Sequence, residues 1–107
     1  MDGDYTAREV AALLDEGVQL IDVREPHEHE VGRIEGDDHI PLGELSAQAG
    51  SIDRTRPVVF YCRSGARSAM ATEAFRQAGY DAHNMTGGLL EWEAAGLPMV
   101  PEGARVA

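Results

Sequence analysis

Apolar residues in this chain come in short runs, separated by polar and glycine-rich stretches, and the runs switch between two periods. Val10, Leu13 and Leu14 recur at helical spacing behind Thr6 and Glu9, which form a Thr-x-x-Glu capping box. With Gly17 as a stop, a helix is expected over 7–16. Val18-Gln19-Leu20-Ile21-Asp22-Val23-Arg24 reads as a strand that Glu25-Pro26 ends. His27 to Gly36 shows no sustained periodicity and reads as loop with a helical turn. His39-Ile40-Pro41 reads as a short strand, and Leu42 to Ala49 as a weak helix. Pro57 opens a strand over 58–62, and a helix over 66–78 follows, capped by Gly79. Asp81 to Met85 reads as another short strand. Thr86-Gly87-Gly88 then turns into a final helix over 89–95, stopped by Gly96 and Pro98.

Strands that alternate with helices at this spacing predict an α/β domain with a mostly parallel sheet. No repeat, low-complexity segment or linker interrupts it, so residues 1–107 are read as one domain. Its ordered core is expected over about 5–100, with 101–107 a loose tail. The run 58–62 is the most apolar and is placed centrally in the sheet. Open parallel sheets bind ligands beyond the carboxyl ends of their strands, and Cys62 stands at such an end.

Composition narrows the function classes. One cysteine excludes an internal disulfide and a Cys-Cys metal site. The formal net charge is −10 and every basic residue except histidine is arginine, a surface that disfavours nucleic acid and anionic membranes. Such a surface also repels a free anionic substrate, so an anion site must depend on local donors. The opening Met1-Asp2-Gly3-Asp4-Tyr5 lacks a signal-peptide pattern, and no apolar run reaches the roughly 18 residues of a membrane span. A cytoplasmic, monomeric protein is expected.

The candidate chemistry centres on Cys62. It closes Val58-Val59-Phe60-Tyr61 and precedes Arg63-Ser64-Gly65-Ala66-Arg67-Ser68 and an alanine-rich helix. A thiol at a strand-turn-helix junction faces the amides of the turn and the positive end of the helix dipole. Both favour the thiolate, the nucleophilic form. The alternative is an inert buried cysteine, since free cysteines are among the most buried residues. Asp22 and Arg24 read as a structural salt bridge or loop-anchoring pair beside Cys62. His27-Glu28-His29 reads as solvated surface rather than a metal site, so no metal or cofactor is expected. Trp92 reads as core packing, with Met85, Gly87 and Gly88 near the pocket mouth.

Four segments, in order, resemble the rhodanese family of sulfurtransferases: Leu20-Ile21-Asp22-Val23-Arg24-Glu25, then Gly32-Arg33-Ile34-Glu35-Gly36 with His39-Ile40-Pro41-Leu42, then Cys62 to Ser68, then Gly87-Gly88-Leu89-Leu90-Glu91-Trp92 to Pro98. Arg33, Glu35 and Asp37-Asp38-His39 depart from the family pattern. The resemblance implies a three-layer fold, a five-stranded mostly parallel sheet flanked by helices, with Asp4-Tyr5-Thr6 as a short first strand. It also implies a relay in which Cys62 takes a sulfane sulfur from thiosulfate or a persulfide donor. The sulfur then passes to cyanide, a thiol or a protein acceptor. The amides of Arg63 to Ser68 (Arg63, Ser64, Gly65, Ala66, Arg67 and Ser68) would bind the persulfide anion. Arg67 and Arg63 would meet the donor's oxyanion end, although Arg63 can point away as a surface charge. The alternatives are a sulfur-carrier or protein-binding module without turnover, and a cysteine phosphatase or arsenate reductase. The latter pair is disfavoured because only four residues separate Cys62 from Arg67 and no second thiol is present.

Overall fold

A computed structural model describes residues 3–107. The first helix, α1 (Ala7–Leu13), begins at the expected capping box: the Thr6 amide donates to Glu9 Oε1 at 2.8 Å and the Glu9 amide to Thr6 Oγ1 at 3.2 Å. A 3-10 turn over Leu14–Glu16 ends at Gly17, whose φ of 84° is a left-handed conformation that favours glycine. Then come β1 (Gln19–Asp22), α2 (Pro26–Val31) and β2 (Asp38–His39). The weak helix expected over 42–49 is two 3-10 turns flanking one α-helical turn, α3 (Leu45–Gln48). The chain continues through β3 (Val58–Tyr61), α4 (Ala66–Gln77), β4 (Ala82–Asn84) and α5 (Gly88–Ala94).

All strand pairs are parallel, in the order β2-β1-β3-β4. The first strand expected at Asp4-Tyr5-Thr6 is one parallel bridge, Tyr5 to Met85, which carries the sheet one step past β4. As the apolar pattern predicted, β3 lies inside the sheet and is buried along its whole length.

Alternation along β1 and β3 divides the core between the two faces. Ile21, Val58, Phe60 and Cys62 point to one face and pack with Leu45, Ile52, Ala71 and Phe75. Leu20, Val59 and Tyr61 point to the other and pack with Val10, Ile34, Leu89 and Trp92. Helices α3 and α4 therefore cover the cysteine's face, and α1 and α5 the opposite one, giving the three-layer α/β fold. Trp92 is a core residue, its indole N–H donating to the Pro98 carbonyl at 2.8 Å. No helix among the described residues is long and apolar enough to cross a membrane.

Two segments differ from the sequence reading. The first is 27–36, read as loop with a helical turn, where α2 occupies the first half. Pro26 stands at its first position, and Glu28 Oε1 accepts the Glu25 amide at 2.9 Å, a cap that an apolar periodicity does not reveal. The second is the tail, which is docked rather than loose. Val100 and Arg33 exchange both backbone hydrogen bonds, at 2.8 and 2.9 Å. Arg105 packs on Gly32 so closely that a Cβ there would lie 2.2 Å from the Arg105 carbonyl oxygen, and Val106 joins the Trp92 side of the core.

The loop between α2 and β2 is tied to the sheet through polar groups. Arg24 and Asp22, both fully buried, form the expected pair, and Arg24 Nη2 also donates to the Gly32 carbonyl at 2.6 Å. The Tyr61 hydroxyl donates to Asp37 Oδ2 at 2.7 Å and accepts the Ile34 amide at 3.1 Å. Burial, with a smaller push from the Asp22 carboxylate, outweighs the Tyr61 hydrogen bond and raises the Asp37 carboxyl to about 6.

A folded-state pKa above the unfolded value means that Asp37 favours the fold in acid. That contribution is lost as pH rises through about 6. Asp37→Asn keeps an oxygen for Tyr61 and removes the titration. Its stability relative to wild type should improve by roughly 1–3 kcal/mol between pH 4 and pH 7.5. Urea unfolding at the two pH values measures this; a difference that does not change with pH would remove Asp37 from the titration.

Candidate active site

The loop after β3 folds back on the thiol it carries. Cys62 is 1% exposed. Its Sγ accepts the Gly65 amide at 3.1 Å, the Ser68 amide at 3.5 Å and the Ser68 hydroxyl at 3.4 Å. Burial by itself would push the thiol pKa up. The Ser68 hydroxyl and the amides of Ser68, Gly65 and Ser64 outweigh it, and the net shift is downward, toward thiolate. These donors are the group expected from the strand-turn-helix junction.

Local sequence makes the turn possible. Gly65 sits at φ 103°, a left-handed conformation, immediately before α4. Its carbonyl accepts from Asn84 Nδ2 at 3.2 Å, so β4 braces the loop. The first turn of α5 braces it from the other side: the Leu89 amide donates to the Cys62 carbonyl at 2.9 Å and the Leu90 amide to the Arg63 carbonyl at 3.1 Å. Gly88 lets the two backbones meet, since a Cβ there would lie 2.5 Å from the Arg63 oxygen.

The expected site residues separate into two groups. Ser64, Gly65 and Ser68 present donors to the sulfur. Ala66 opens α4 and is exposed. Neither arginine points its fork at open space above Cys62. Arg67 donates from both terminal nitrogens to the two oxygens of Glu28, at 2.8 and 2.9 Å. Arg63 turns to the tail, its Nε donating to the Ala107 carbonyl at 3.0 Å. The sequence reading missed Glu28 and Asn84 as neighbours of the loop. Glu28 is 39 residues from Arg67, a pairing with no local signal.

Asp22, His29 and His39 bring ligand-type atoms within 4.8 Å of one another. Each already has a protein partner. His29 Nδ1 lies 2.9 Å from Asp22 Oδ2, and His39 Nε2 lies 2.7 Å from the Arg24 carbonyl. The two imidazoles stack at 4.2 Å with 9° between their planes. A surface groove of about 420 Å³ between α3 and α4 is lined by Leu42, Leu45, Met70, Ala74 and Phe75, and does not include Cys62.

Known proteins share both the sequence and the fold. The chain is 41% identical over 90 residues to a sulfurtransferase of Allochromatium vinosum, a match that covers 82% of this chain and 84% of that protein. It is 42% identical over 92 residues to an HTH-type transcriptional regulator of Mycobacterium tuberculosis. There the match covers 83% of this chain and only 40% of the regulator. A crystal structure of a rhodanese-related protein from Thermoplasma volcanium superposes with a TM-score of 0.86 at 30% identity, covering 92% of this chain and 97% of the other. Residues 6–95 match the rhodanese-like domain, and the chain belongs to that family.

Proposed function

We propose that this chain is a sulfurtransferase that carries sulfane sulfur on Cys62, with thiosulfate as a donor. The Cys62 thiolate attacks the outer sulfur of thiosulfate. The sulfur–sulfur bond of the donor breaks and sulfite leaves with its electron pair, giving Cys62–S–S⁻. Cyanide or a thiolate then takes the outer sulfur and returns the thiolate. This is covalent catalysis in two half-reactions, with ping-pong kinetics. Neither step needs a cofactor, an oxidant or a general base. The acceptor is a thiol, cyanide or a protein thiol.

One observation carries the reading: hydroxyl and amide donors from Gly65 and Ser68 converge on a single sulfur atom. Fixed donors aimed at a developing anion in a dry site act as an oxyanion hole does. Cys62–S–S⁻ places its charge about 2 Å beyond Sγ, inside the same loop. The loop has one residue fewer between cysteine and arginine than the phosphatase pattern, and Arg67 is engaged by Glu28, which opposes the phosphatase alternative.

Intact-mass measurement after thiosulfate treatment should show a gain of about 32 Da on wild type. Cyanide should reverse it, and Cys62→Ser should not show it. Absence of the gain on wild type at any thiosulfate concentration would sink the proposal. Ser68→Ala removes one donor to Sγ. It should raise the thiol pKa and lower turnover on the order of 10- to 100-fold, read from the pH dependence of Cys62 alkylation beside steady-state rates. An unchanged alkylation profile would take Ser68 out of thiolate stabilisation. Arg67→Ala should raise the KM for thiosulfate more than it lowers kcat, and an unchanged KM would remove Arg67 from donor binding.

A further inference from the structure

Arg67, in the first turn of α4 at the end of the Cys62 loop, is already paired. Its bond to Glu28 is fork to fork, the geometry in which guanidinium and carboxylate bind most strongly. Glu28 is held from its own helix too, through the Glu25 amide on Oε1, and its side chain is only 10% exposed. The Arg67 guanidinium holds the Glu28 carboxyl down at about 2, so Glu28 is negative at every working pH. Arg67 precedes Ser68, whose hydroxyl and amide touch Sγ, and it senses the Cys62 charge electrostatically. An anionic donor entering here meets a cation whose charge is balanced and whose two terminal nitrogens each donate to a fixed carboxylate.

We propose that Glu28 determines donor specificity by placing a fixed negative charge beside Arg67, which disfavours sulfur donors in proportion to their own negative charge. The inference rests on the sulfurtransferase reading. By Coulomb's law a dianion loses twice the free energy that a monoanion loses at the same position. A donor that takes both terminal nitrogens of Arg67 for its sulfonate oxygens, as Glu28 does, must displace Glu28. The site therefore favours sulfane donors of low charge over dianionic thiosulfate.

Thiosulfate and methanethiosulfonate test this, because both carry a sulfane sulfur on a sulfonyl centre and they differ by one charge. In both, Cys62 takes the outer sulfur; sulfite or methanesulfinate leaves with the electron pair. In a ping-pong scheme kcat/KM for the donor reports this half-reaction alone. Glu28→Gln keeps an oxygen for the Glu25 amide and removes the charge. It should raise kcat/KM about tenfold for thiosulfate and about threefold for methanethiosulfonate, an approximately threefold change in their ratio. Glu28→Asp keeps the charge and should keep the wild-type ratio. Glu28→Met, also neutral, should shift the ratio as Gln does and serves if the Gln variant does not fold. Equal changes for both donors in the neutral variants, or an Asp variant that behaves like Gln, would overturn the assignment. Wild type that turns over neither donor and gains no sulfur on Cys62 would overturn the sulfurtransferase reading itself. Turnover with a ratio unmoved by removing the charge would overturn only the role of Glu28.

Discussion

The loop around Cys62 is held in shape from outside, by the first amides of α5. Leu89 and Leu90 donate to the carbonyls of Cys62 and Arg63. In a trans peptide the carbonyl and the next N–H point opposite ways. Drawing the Arg63 carbonyl toward α5 therefore turns the Ser64 N–H inward, where it helps to lower the thiol pKa. Gly88 is what lets α5 approach this far, and Asn84 fixes the far side of the loop through Gly65. The thiolate is thus stabilised by backbone that was ordered on folding and need not reorganise when charge develops.

A second constraint runs through the arginines. In a chain without lysine, the planar guanidinium fork becomes the usual tie between elements. Arg24 joins β1 to the end of α2 through Asp22 and Gly32. Arg76 joins α4 to β4 and to the segment before α1, through Ala82, Gly3 and Asp4. Arg54 reaches the Ala78 carbonyl and lies over the Tyr80 ring. Arg67 joins α4 to α2. The buried Arg24–Asp22 pair fixes position more than it adds net stability, because desolvation offsets much of its attraction, and the more exposed ties are individually weak. Their consequence here is that α2 is held against the carboxyl edge of the sheet, beside the Cys62 loop.

Much of this was legible along the chain. The Thr6–Glu9 box fixes where α1 starts, and the β-branched and aromatic run 58–61 marks an inner strand. Period two along β3 puts Cys62 on the face of Phe60, hence under α4. Of α2 only a helical turn was legible, because it packs through Glu28 and His29, polar side chains that leave no apolar stripe; Pro26 and the Glu25-x-x-Glu28 spacing mark its start. The docking of the tail escaped for another reason: it depends on space left by Gly32, some seventy residues earlier in the chain.

By itself the sequence determined the local parts of the site: one cysteine at a strand end, four residues between it and Arg67, and Gly65 in the turn. These follow from neighbours within a few residues, which constrain backbone conformation directly. Only the tertiary structure decided where the two arginines point. Arg67 finds Glu28 across 39 residues and Arg63 finds Ala107 across 44, and no local pattern encodes either meeting. Such pairs exist because packing brings α2 and the tail to the rim of the loop, and a guanidinium there binds the first acceptor that packing has fixed in reach.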